Sequence, residues 1–146
     1  MAGSRAAKYL VLRNLWHVTY NLVTCNCILE VNLESNELAH AVVEIAASKK
    51  AADILMLDMR EVTLLADYYV LCNGSSSRQI RAISDELLEK LKWVGSRLAS
   101  VEGTPESGWM LIDFGSVIAH ILSPEQRIYY QLEELWQRAP KVVRIL

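Results

Sequence analysis

Little in this chain assigns it at a glance, and several absences are informative. Its three cysteines, Cys25, Cys27 and Cys72, form no even framework, which argues against a disulfide-stapled scaffold and for a reducing compartment. Cys72 sits in an apolar run, where a thiol behaves as a small hydrophobe. Cys25-Asn26-Cys27 lacks the second pair that a zinc site needs. Long hydrophobic runs are missing too: polar residues interrupt Tyr9–Val18 before about 18 apolar positions accumulate, so it does not read as a transmembrane helix. No clean small-residue cleavage site follows it. Neither charge dominates, because 15 basic and 17 acidic residues leave a net −2, too little for disorder by repulsion. There is no internal repeat.

What is there suits one domain, since 146 residues can bury a core without staples. Charge is unevenly placed. Met1–Leu29 carries Arg5, Lys8 and Arg13 and no acid, which leaves 12 basic and 17 acidic residues, a net −5, for the remainder. A domain of that sign gains no general attraction to phosphate backbones, so direct nucleic-acid binding is not the expected activity. Residues 1–33 lack sustained core periodicity and read as a poorly ordered extension with some transit-peptide character. Residues 34–139 form the expected folded domain, and 140–146 a C-terminal tail.

From Ser35, the residues Leu38, Ala41, Val42 and Ile45 recur at helical spacing, with Glu37 at the start and Lys49-Lys50 at the end to suit the helix dipole. Ala52–Met59 is a nearly continuous apolar run of the kind found in buried strands. Asp67–Asn73, rich in aromatic and β-branched residues, is a second strand that Gly74 stops. Ser76 with Gln79 is a capping-box pattern opening a helix on Ile80, Ile83, Leu87 and Leu91, ended by Gly95. Arg97–Val101 is a short strand candidate and Glu102–Gly108 a turn-rich loop. Trp109–Asp113 and Ser116–Leu122 read as a hairpin, with Gly115 supplying a positive φ. Ser123-Pro124 then caps a final helix that carries Ile128, Leu132, Leu135 and Trp136 inward until Pro140. The expected fold is α/β: a single domain with a mixed five-stranded sheet flanked by helices.

Several motifs invite a chemical reading. Gly74-Ser75 at a strand end before a helix resembles the phosphate-holding corner of nucleotidyltransferases. Such enzymes also need paired carboxylates on the next strand for Mg²⁺. The acids at suitable distance, Asp85 and Glu86, are neighbours on a helix and point about 100° apart. Asp113-Phe114-Gly115 spells a kinase metal motif, but no G-x-G-x-x-G or H-R-D accompanies it, so a hairpin corner is the expectation. His120 reads as a hydrogen-bonded strand histidine, with no activated nucleophile signalled nearby. The Trp109 strand differs. If Met110 and Ile112 face the core, then Trp109, Leu111 and, at the turn, Phe114 form an exposed apolar patch of the kind that marks a partner site. The alternative packs Trp109 under a helix.

Three blocks in order, Ala66–Ile83, Gly108–Ile121 and Tyr129–Trp136, resemble the ribosomal silencing factor (Iojap-related) family, with likeness from about Glu37 to about Arg138. The resemblance implies a nucleotidyltransferase-like layout without catalysis or cofactor. It implies a cytoplasmic factor that binds the large ribosomal subunit through ribosomal protein L fourteen and blocks subunit association, repressing translation. It admits a homodimer when free. Trp109, Leu111 and Phe114 are then the expected apolar anchors, and Asp113, Arg78 and Arg127 the polar contacts. An aspartate commonly follows the turn glycine in that family, and Ser116 stands there here, which weakens electrostatics at the site. A nucleotidyltransferase-like enzyme and a large-subunit assembly factor are the alternatives.

Overall fold

The helical spacing that begins at Ser35 is realised as α1 (Ser35–Ser48), which buries Leu38, Ala39, Val42, Val43, Ile45 and Ala46. The structure is a computed structural model and describes residues 34–91, 93–94 and 97–146. The expectations for residues 1–33, Cys25-Asn26-Cys27 and Gly95 fall outside those residues. Each aliphatic side chain taken fully out of water contributes about 1.5–3 kcal/mol, so this stripe fixes how α1 sits on the sheet.

Two central strands follow, β1 (Ala52–Asp58) and β2 (Tyr68–Asn73), paired antiparallel. All of β2 but Asn73 is buried, because both faces of the sheet are covered there, and its sequence is accordingly apolar without alternation. At the Gly74 corner the Ser76 hydroxyl accepts the Gln79 N–H (3.2 Å), opening α2 (Ser77–Leu91). Ile80, Ile83, Leu87 and Leu91 of α2 join the same core as α1.

The next stretch departs from expectation. Arg97–Val101 is not one strand: β3 (Trp93–Val94) and β4 (Arg97–Leu98) form a ladder of their own, and β5 (Ser100–Thr104) joins the main sheet beside β6 (Trp109–Asp113). The expected loop from Glu102 thus begins inside β5, and a 3-10 turn at Pro105–Ser107 takes up what remains. Every residue of β5 is exposed, so no apolar alternation betrays it. The turn from β6 into β7 (Val117–Leu122) has Gly115 at φ +94°, as its glycine suggests.

The sheet is mixed and has six strands rather than five, in the order β5-β6-β7-β2-β1-β8, with β2 and β7 parallel. The sixth, β8 (Lys141–Ile145), is the segment expected to be a tail, and it pairs antiparallel with β1. An edge strand with only Val143 half-buried leaves a faint pattern behind the helix-ending Pro140.

The last helix is also two. α3 (Pro124–Tyr130), capped by the Ser123 hydroxyl, ends at Gln131 in the left-handed region (φ +46°), and the single turn α4 (Leu132–Leu135) follows. The break rotates the face. Leu132 enters a second core with Leu55, Leu57, Tyr69 and Leu122, whereas Ile128 and Leu135, expected inside, are exposed.

Candidate functional site

Strand alternation sets up the site. Met110 and Ile112 enter the core beneath α1 and α2, so Trp109, Leu111 and Asp113 share the opposite face, and all three are half-buried. Leu111 lies beside His120 of β7 in the ladder. Aromatic rings gather round that histidine: its centroid is 5.3 Å from Tyr69, 5.9 Å from Trp109 and 6.2 Å from Trp136. Tyr130 closes on Trp109 at 4.7 Å, and Tyr129 on Tyr130 at 5.0 Å. Such ring pairs add about 0.5–1.5 kcal/mol each beyond area burial. Trp109 therefore answers both of its readings, packing partly under the helix segment and partly facing out.

His120 is not hydrogen-bonded as expected. Both ring nitrogens, like Trp109 Nε1, lack a hydrogen-bond partner among the described residues, because aromatic faces rather than polar groups surround it. Burial pushes its pKa down from 6.5 to about 4, and the folded protein holds it neutral. The unfolded chain takes up this proton near pH 6.5 and the folded one only near pH 4, so its stability contribution is full above pH 6.5 and falls with pH. At pH 4 the loss from this group is about 3 kcal/mol. Denaturation midpoints at pH 7 and pH 4 should converge for His120→Phe relative to wild type; an equal fall in both proteins would refute the assignment.

The other expected contacts divide. Phe114 is not an exposed anchor: it is 4% exposed and packs in the α1–α2 core. The turn directs it inward, with its N–H donating to Val117 O (2.9 Å) while Asp113 Oδ1 accepts the Gly115 N–H (2.6 Å). That is the hairpin corner that Asp113-Phe114-Gly115 suggests. Arg78 is exposed at the start of α2, on the layer that covers the other face of the sheet, away from Trp109. Arg127 is 7% exposed and spends its donors inside the protein on Asp53, Asn73 and Glu133. The expected site thus keeps Trp109, Leu111 and Asp113 together and loses Phe114, Arg78 and Arg127.

Sequence reasoning missed the outer side of α3 and α4. Ile128, Tyr129 and Leu135 are 74%, 78% and 69% exposed, and Tyr130 is 47% exposed. Tyr129 is linked to Trp109 through Tyr130, and exposed apolar side chains on neighbouring short helices are of the kind that marks a docking site. The signal was Tyr129-Tyr130 itself, an aromatic pair that cannot be wholly inward on so short a helix.

The corner that suggested catalysis is closed by its own glutamine. Gln79 Oε1 accepts both the Ser75 N–H and its hydroxyl (2.8 Å each), and Gln79 Nε2 donates to the Lys49 and Lys50 carbonyls (3.2 and 2.9 Å). Two donors that a phosphate could use there, the Ser75 N–H and hydroxyl, are thus already paired. Glu86 is held by Lys49 (2.7 Å) and Lys90, and these partners depress its pKa, Lys49 first. Asp85 is exposed. Among the described residues no group of three His, Cys, Asp or Glu is placed to hold a metal ion, and no helix is long and apolar enough to cross a membrane.

Comparison with known proteins places this arrangement. Residues 32–145 match the family model described as ribosomal silencing factor during starvation. The chain is similar to the ribosomal silencing factor RsfS of Bacillus subtilis, 39% identical over 104 residues that cover 68% of this chain and 88% of that protein. It is also similar to a mouse protein named mitochondrial assembly of ribosomal large subunit protein 1, at 31% over 97 residues, 64% of this chain and 42% of that one. A crystal structure of a Chromobacterium violaceum protein superposes with a TM-score of 0.68 at 31% identity, covering 78% of this chain and 94% of that one.

Proposed function

The chain belongs to the ribosomal silencing factor family, and on that premise we propose that it binds the large ribosomal subunit and represses translation by keeping the small subunit from joining. The proposed contact is ribosomal protein L fourteen, and the proposed place of action is the cytoplasm. The mechanism is occupancy and needs neither cofactor nor chemistry. The observation that carries it is the exposure of Ile128, Tyr129, Tyr130 and Leu135 on two short helices, with the half-buried Trp109 and Leu111 on the same face of the sheet as the Tyr130 ring. Trp109 and Tyr129 are the proposed anchors, because large aromatic side chains dominate interface energetics. Asp113 sits at the rim.

Electrostatics agree with a protein rather than an RNA target. A net −5 over the part of the chain that contains the fold favours approach to a basic ribosomal protein and disfavours bare phosphate backbone.

The name of the mouse relative supports a second reading, assistance in large-subunit assembly. Sedimentation of purified mature subunits with the protein separates them. Silencing predicts that the protein travels with the mature large subunit and that joined ribosomes decline. An assembly factor leaves mature subunits joined.

A further inference from the structure

The docking surface rests on two helices too short to stand alone: seven residues in α3 and four in α4, whereas isolated helices below roughly 12 residues are marginal in water. Their anchorage is also unusual. The one buried residue of α3 is Arg127, a cation, and that of α4 is Leu132.

Arg127 is met by a defect in the central sheet. The register of β1 against β2 shifts between Ala52 and Leu55, and Asp53 inside this bulge has φ +43°. A left-handed conformation at a non-glycine residue is strained and persists only where its surroundings enforce it. Here the Asp53 carbonyl accepts Arg127 Nη1 (2.5 Å), and its carboxylate Oδ2 lies 3.4 Å from Nη2. Nη1 also donates to Asn73 Oδ1 (3.0 Å) at the end of β2, while Nε and Nη2 both donate to Glu133 Oε1 of α4 (2.8 and 2.5 Å). On the far side, Arg144 of β8 reaches Asp53 Oδ1 at 3.2 Å. The Gln131 N–H, at the break between the helices, donates to the Arg127 carbonyl (3.0 Å). One guanidinium thus ties α3 to β1, β2 and α4 at once, a task suited to its rigid fork of donors.

We propose that Arg127 is a positioning residue: set in the bulge at Asp53, it fixes the angle at which α3 and α4 hold Ile128, Tyr129 and Leu135 out to a partner. This rests on the reading of that face as the docking surface. Anchoring by directional hydrogen bonds fits the task, because an apolar contact would tolerate rotation of so short a helix and a fork does not.

The test combines amide exchange with binding to purified large subunits, using Arg127→Met, Tyr129→Ala and the double variant. Arg127→Met should keep the exchange protection of β1, β2, β7 and α1 while residues 124–135 exchange at least about tenfold faster. Its affinity should fall about thirtyfold, as much as loss of the anchor itself. Tyr129→Ala should fall about thirtyfold, and the double variant should be no worse than Tyr129→Ala, because a surface that is no longer presented cannot lose its anchor twice. Should Arg127→Met not fold, Glu133→Ala takes its place, since it removes the acceptor on α4 and leaves Arg127 paired with Asp53. Multiplicative losses in the double variant, or fast exchange at 124–135 with wild-type affinity, would overturn the positioning role alone. Wild-type affinity in Tyr129→Ala would overturn the surface reading and the role with it.

Discussion

Phe114→Ala should destabilise the protein by about 3–5 kcal/mol, the usual cost of emptying a buried aromatic site. Phe114 is 4% exposed and shares its core with residues such as Met110, Ile112 and Val117, so truncation leaves a cavity among side chains already fixed by the hairpin. The melting temperature of a domain of this size should fall by roughly 10 °C or more. Chemical denaturation at neutral pH measures it, with an unchanged slope indicating that only stability has moved. Protein that remains folded at low temperature should still bind the large subunit. A loss below about 1 kcal/mol together with abolished binding would return Phe114 to the interface and contradict its place in the core.

Tyr129→Ala should do the reverse. The ring is 78% exposed and stacks edge-on against Tyr130, so the fold should lose no more than about 0.5 kcal/mol, as surface substitutions do. Binding should weaken by about 2 kcal/mol or more, close to thirtyfold, if Tyr129 is desolvated as an anchor. Trp109→Ala is a less clean probe. Its indole packs on both His120 and Tyr130, and the variant should lose stability and affinity together. Equilibrium binding to purified large subunits beside thermal melting separates the two residues. Undiminished binding by folded Tyr129→Ala would remove α3 from the interface.

Elements with a strong period were legible in the sequence. The stripe of α1, the apolar runs of β1 and β2, the Ser76 cap of α2 and the Gly115 turn all stand where local chemistry puts them. What stayed hidden lacks a period. β5 is wholly exposed and β8 nearly so, and an edge strand without a buried face gives alternation nothing to mark. The single helix drawn to Pro140 failed for another reason: one left-handed residue, Gln131, turns the periodic positions Ile128 and Leu135 outward, and glutamine carries no turn signature. At the site, alternation along β6 correctly joined Trp109, Leu111 and Asp113. It could not follow the chain past the turn, where Phe114 bends into the core. Nor could it find the destination of Arg127, since a bulge in a distant strand receives it. Residue type suggests that an arginine is outside, and only tertiary placement of Asp53, Asn73 and Glu133 reverses that.

The central claim, silencing by occupancy, is tested most directly by subunit joining itself. Purified large and small subunits are mixed under conditions that favour association, and the protein is titrated in while joined ribosomes are read on a density gradient. Joined ribosomes should decline as the protein saturates the large subunit, with the protein sedimenting in the large-subunit fraction and absent from any joined ribosomes that remain. Tyr129→Ala should need about thirtyfold more protein for the same decline. Joined ribosomes that persist at saturation, or that carry the protein with them, would contradict the account.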